Sequence, residues 1–281
     1  MENMMTSSGI KVTQVESWEE FETKLKEFSS SACKTKPQYS NSPLIYRGLS
    51  DSSFNLSTTL ERATSTTEYS VSAYYKLISR VKPQIEAFTD NQWYLKTYPE
   101  FEKAVKNFEE FRDQRFDIET YSYLIHLRHH GFPSPFLDWS RSHYVAAYFA
   151  FRSPEPPESE KVSIYAFVEL PEGYKITSDD EPIIIGFGPY VTAHRRHFLQ
   201  QAEYTIAAKF KDSRWYFVPH DEVWALNKDY QDLCVRFDIP WSERLKVLRS
   251  LDSYNLNAHS LFNSEETLME TMALRELVFK C

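Results

Sequence analysis

Three pieces of this sequence carry side chains whose types and spacing could do chemistry. The first is Ile45-Tyr46-Arg47-Gly48, an apolar run that predicts a short strand ending at the glycine. A guanidinium at that position can aim a planar fork of donors at a phosphate or carboxylate, and it suits a surface salt bridge equally well. The second is Asp138-Trp139-Ser140-Arg141-Ser142, where an extended segment turns both serine hydroxyls to one side. A capped helix start, with Asp138 as the cap, accounts for the same residues. The third is Gln201-Ala202-Glu203-Tyr204, in which a strand puts Gln201 and Glu203 on one face and Ala202 and Tyr204 on the other. A carboxylate there can stabilise a developing cation while the amide selects a nucleophile. An exposed polar face beside a core-facing one explains the pattern as simply.

The histidines invite a metal. His126, His129 and His130 fall at i, i+3 and i+4, with Asp138 downstream. No second ligand cluster joins them and the surrounding aromatics favour packing, so no metal is expected. The three cysteines, Cys33, Cys234 and Cys281, are scattered and odd in number, which fits a reducing compartment better than a disulfide framework. With 32 basic and 40 acidic residues the formal charge is −8, so no general field draws the chain to nucleic acid or membrane. Phosphate contacts must be local, and His126–His130 and His194–His197, the latter containing Arg195 and Arg196, are the candidates. The first residues lack the apolar centre of a signal peptide and no apolar run reaches membrane-spanning length, so a soluble cytoplasmic protein without membrane contact is expected.

These side chains need elements to hold them. Ser17-Trp18-Glu19-Glu20 has the form of a capping box, and Trp18, Phe21, Leu25 and Phe28 continue at helical spacing. Residues 67–131 read as helices broken at Pro83, Asn91 and Pro99, and 142–151 as a further helix rich in alanine. Strand-like runs follow at "KVSIYAFVEL", "PIIIGF", "EYTIAAKF", "RWYFVP" and "LCVRFDIP", before a helical C-terminal part. The pattern predicts an α+β fold: a mostly antiparallel sheet drawn from the second half plus the Arg47 strand, with helices from the N-terminal half and the C-terminus packed around it. Residues 1–16 read as a flexible N-terminus and 17–281 as a single domain.

The pieces "IYRG", "LSTTLER", "HHGFPSPFLDWSRSHYVAAYFAF", "RRHFLQQAEYT" and "LRSLDSYNLNAHSLF" stand in an order that resembles the FRG domain family, over about residues 17–275. The sequence departs from that family at Leu49, where glutamine is usual, and at Pro135, where arginine is usual. The Tyr-Arg-Gly strand, the Ser-x-Ser segment and the Gln-x-Glu strand are similar, in turn, to the Arg-Ser-Glu class of mono-ADP-ribosyltransferases. That resemblance implies a split sheet of ADP-ribosyltransferase type, NAD as substrate, and an intracellular toxin-like or defence effector with a neutralising partner. It implies that Arg47 holds a phosphate or ribose of NAD, with Gly48 beside it. It implies that Ser140 orients Glu203, that Glu203 stabilises the ribosyl cation, and that Gln201 serves the acceptor. Tyr46, Trp139 and Tyr148 are then candidates to stack on nicotinamide, and His129 and Ser142 to face the ligand. Arg62, Arg128 or Arg141 would supply the phosphate contact that Pro135 lacks. Arg195 and Arg196 would hold the acceptor, a nucleic acid or a protein. The alternative is a module that uses the same cleft to sense a nucleotide or bind a partner without catalysis.

Overall fold

The computed structural model describes residues 4–6, 8–32, 42–106, 118–178, 180–188 and 195–280. Cys33, His194 and Cys281 lie outside the described residues. Its strands are β1 (Met4–Met5), β2 (Lys11–Gln14), β3 (Ile45–Leu49), β4 (Tyr69–Ser70), β5 (Leu137–Ser140), β6 (Lys161–Val168), β7 (Ile183–Phe187), β8 (Ala202–Lys211), β9 (Arg214–Phe217) and β10 (Leu233–Pro240). They form one mostly antiparallel sheet in the order β1-β2-β10-β6-β3-β5-β8-β9-β4, with β7 also paired to β8. The helices are α1 (Trp18–Ala32), α2 (Thr59–Thr64), α3 (Val71–Thr89), α4 (Tyr98–Val105), α5 (Ile118–His129) and α6 (His143–Phe151), then α7 (Arg195–Leu199), α8 (His220–Trp224), α9 (Arg244–Ser253), α10 (Ala258–Phe262) and α11 (Glu265–Ala273). Among the described residues, no helix is long and apolar enough to cross a membrane.

The alternation of the strands sorts the core by face. Leu137, Trp139, Tyr165 and Phe167 point one way and pack under Val223 and Trp224 of α8. On the other face, α1, α6 and α9 cover β6 and β10, while α3 and α5 cover β7, β8 and β9. The glycine of Tyr46-Arg47-Gly48 has a packing reason: a Cβ there would lie 1.9 Å from the backbone oxygen of Ala146. Helix α6 therefore rests directly on β3, and its alanines Ala146, Ala147 and Ala150 permit the close approach.

Two expectations need correction. The leading residues are not a flexible tail through residue 16, because Lys11–Gln14 pair in parallel with β10. Ile10, Val12 and Val15 are buried there, and that burial offsets the entropy of ordering the segment. Pro83 does not break α3, which runs from Val71 to Thr89 and ends at Asp90 in the left-handed conformation. Pro99, by contrast, sits in the first turn of α4, where its missing N–H costs nothing.

Candidate functional site

Strand register decides what can meet. Tyr46 faces Ser140, Ser140 faces Ala202, and Trp139 faces Glu203. Side chains alternate along a strand, so Arg47, Trp139 and Glu203 rise from one face while Tyr46, Ser140 and Ala202 rise from the other. Arg47 also faces Tyr165, which faces Arg236. One cross-strand row therefore reads Arg236, Tyr165, Arg47, Trp139, Glu203. Arg47 and Glu203 stand two strand spacings apart in it, about 10 Å between backbones.

Arg47 occupies a gap in the ladder. β3 registers with β6 at five pairs but with β5 only at Tyr46 and Ser140. Past that pair the Arg47 side chain takes over, and Nη1 donates to the Asp138 carbonyl oxygen at 2.5 Å. Its Nε is buried without a hydrogen-bond partner. Burial pushes the guanidinium down to about 10; the Asp138 charge opposes this, and the nearby Arg128 and Arg62 charges add to it. Arg128 thus takes the Asp138 carboxylate, Arg47 takes the carbonyl of the same residue, Arg62 adds a nearby positive charge, and the arginine between the strands keeps a spare donor. Such a cluster favours an anion.

Among the described residues Glu203 has a single partner of opposite charge. Arg141 Nε donates to Oε1 at 2.5 Å, and the carboxylate is 5% exposed against 44% for the arginine. Burial raises the Glu203 pKa above the ordinary carboxylate range, and Arg141 opposes that rise. Glu203 therefore lies at the floor of the site, and Arg141 lies over it. Arg141 follows β5 by one residue, and the alternation places it on the Trp139 face. Arg141 stands two residues after Trp139, so the two-residue period of the strand carries this placement in the sequence, between two serines that turn the other way.

Ser140 does not orient Glu203. Its hydroxyl donates to the Gln200 carbonyl at 2.7 Å and accepts from the Ser142 backbone N–H at 3.0 Å, on the far side of β5. Gln201 is not in the strand either. It is an exposed turn residue with φ +47°, so the alternation that would have paired it with Glu203 begins one residue too late. Ser142 caps α6, accepting from Val145 N–H. Tyr46, Trp139 and Tyr148 are buried in the core and none lies open for a nicotinamide ring. Trp139 Nε1 donates to Thr205 Oγ1 at 2.8 Å, and the Tyr148 hydroxyl donates to Glu270.

The His-Gly-Phe-Pro-Ser-Pro-Phe-Leu-Asp segment is a buttress. Asp138 does not bind backbone N–H groups as a cap would. It accepts two bonds from Arg128, Nε to Oδ1 at 2.9 Å and Nη2 to Oδ2 at 2.6 Å, and Arg128 also donates to Thr59. Burial works against the Asp138 carboxylate, yet the Arg128 charge and hydrogen bonds hold its pKa below the usual range. Ser134 N–H donates to Thr59 Oγ1, and the Tyr74 hydroxyl donates to the Pro133 carbonyl. These bonds dock α2 on the segment and so bring Arg62 near Arg47. Arg62 itself is exposed and donates to the Ser57 carbonyl.

His129 Nε2 lies 2.9 Å from the Tyr204 hydroxyl, which His197 Nδ1 also approaches at 3.3 Å. His129 and Asp138 thus turn to different partners, and among the described residues no three His, Cys, Asp or Glu side chains converge as a metal site would require. Arg195 is exposed on α7, and Arg196 lies over the Phe262 ring at 5.4 Å. A cavity of about 980 Å³ opens at the other end of the sheet, among α1, β2 and β10. Its lysines and carboxylates are mixed in sign, and neither Arg47 nor Glu203 borders it.

No curated protein and no solved structure matches this chain. Residues 42–159, which include Arg47, Arg62, Arg128, Asp138 and Arg141 and stop short of Glu203, match the FRG domain.

Proposed function

We propose that the protein is a NAD-dependent mono-ADP-ribosyltransferase, with a sheet of ADP-ribosyltransferase type, and that it acts as a toxin-like or defence effector. One observation carries this reading: Arg47, with an unpartnered buried Nε, and Glu203 share a row on the same face of the sheet. In this reading Arg47, helped by Arg62 and Arg128, holds the pyrophosphate. Glu203 meets the nicotinamide ribose and stabilises positive charge as the glycosidic bond breaks. A span of about 10 Å between the two strands suits a diphosphate joined to a ribose. The acceptor is a nucleic acid or a protein, held near Arg195 and Arg196, and a companion protein restrains the activity.

A second reading has its own support. Glu203 is closed under Arg141 and Ser140 is turned away, which suits a module that binds a nucleotide without consuming it. One experiment separates the two: nicotinamide release from NAD, with and without RNA, DNA or cell lysate, alongside calorimetric NAD binding. The transferase reading expects release by the wild type. It also expects a loss of about 10² to 10³ in rate for Glu203→Gln with binding retained, and weakened binding for Arg47→Ala. Binding that depends on Arg47, without release under any condition, establishes the sensing module instead. Absence of NAD binding rejects the transferase reading, and absence of binding to any nucleotide rejects the module as well.

A further inference from the structure

We propose that Arg141, rather than Ser140, is the positioning residue for Glu203, fixing Oε1 so that Oε2 is the oxygen presented to substrate. The proposal rests on the transferase reading above and names a residue which that reading leaves without a role. Three observations converge. Arg141 is held by its own backbone, its N–H donating to the Gln201 carbonyl at 3.0 Å, so its Cα is anchored to the turn that leads into β8. Its side chain reaches Oε1 on the same face of the sheet, with both Nε and Nη2 at 2.5 Å. Among the described residues nothing bonds Oε2, and that oxygen is not among the buried polar atoms left without a partner. Oε1 is committed and Oε2 is available at the edge of the site.

Among the described residues, the surroundings leave this task to Arg141 alone. Arg47 stands two strands away along the row, and Tyr204, with His129 and His197 at its hydroxyl, points from the opposite face. His220 of α8 is on the same face as Glu203 but is bonded to Thr205 Oγ1 at 2.9 Å, and burial keeps it neutral. Arg195 of α7 is exposed, and Arg196 lies over Phe262. Within this set Arg141 is the cation whose charge and hydrogen bonds oppose the rise that burial imposes on the Glu203 carboxyl.

The test reads Glu203 directly. Glutamate labelled with ¹³C at the carboxyl is followed by NMR against pH in the wild type, Arg141→Ala and Arg141→Lys, with Glu203→Gln assigning the signal. Loss of the cation should move the Glu203 midpoint up by about 1–2 pH units in Arg141→Ala, and lysine should restore part of the shift. The acid limb of kcat for nicotinamide release should move up with it, because the ionised form is the active one, while KM for NAD changes little. An unmoved Glu203 midpoint in Arg141→Ala overturns the proposal, as does a fall in kcat with no change in the pH profile. If the midpoint moves but the wild type releases no nicotinamide, the transferase reading fails and the placement of Glu203 by Arg141 stands.

Discussion

The two faces of β5 differ in how completely their polar groups are satisfied. On one, Asp138 takes both branches of Arg128, Ser140 bridges Gln200 and Ser142, and Tyr204 sits between His129 and His197. On the other, among the described residues, Arg47 keeps an orphaned Nε, His220 keeps an unpartnered Nδ1, and Glu203 is bonded at one oxygen only. A saturated network specifies a fold, because each removed partner strands another buried group. A face with spare donors and a half-engaged carboxylate has capacity left for a ligand. The residues that looked most like a motif therefore build the wall, and their neighbours one position along the strand offer the chemistry.

The largest stability effect should come from breaking the saturated side. Asp138→Ala leaves the Arg128 guanidinium, 13% exposed, without its carboxylate, and should cost about 2 kcal/mol. Thermal melting of the purified variant measures this, and an unchanged melting temperature would show the network to be ornamental. The sign with pH follows. Because the Asp138 pKa is depressed in the fold, its contribution is present above the unfolded carboxylate value, about 3.9, and is lost as pH falls through the lower folded value.

A pH-dependent effect, absent at neutral pH and growing on acidification, sharpens the contrast from the other face. Burial lowers His220 from 6.5 to about 3, so the fold keeps it neutral where the unfolded chain would protonate it. Its contribution is full above pH 6.5 and shrinks as pH drops toward 3, by up to about 1.4 kcal/mol per pH unit. Urea unfolding at pH 7.5, 6.0 and 5.0 should show that slope, and His220→Gln should remove its share. The smallest effect concerns Gln201. Glycine accepts its φ of +47° without strain, so Gln201→Gly should gain about 0.5–1 kcal/mol. A loss instead would mean that the Gln201 side chain makes a contact worth more than the strain.

Much of the architecture was legible in the chain itself. The β6, β7, β8, β9 and β10 runs carry apolar and β-branched residues whose burial follows directly, and Ser17 opens α1 where its capping pattern stands. The alternating Ile10, Lys11, Val12 and Thr13 held the signal for β2, too short to weigh without its partner β10. Glu203 and Arg47 were likewise readable as candidates, Glu203 near the start of its strand and Arg47 beside the glycine of a short apolar run.

The sequence by itself determined which residues oppose one another along a strand: Asp138 and Ser140 against Trp139 and Arg141, and Ala202 and Tyr204 against Glu203. That follows from the two-residue period of extended backbone, a local property. Which face would be saturated and which left with spare donors was decided only by the tertiary structure. A one-residue change of register exchanges the faces, and the register here depends on β3, β5 and β8, which are separated by long stretches of chain. The turn at Gln201, the docking of α6 on Gly48 and the cover of α8 set that register together, so Ser140 went to the wall and Arg141 to the carboxylate.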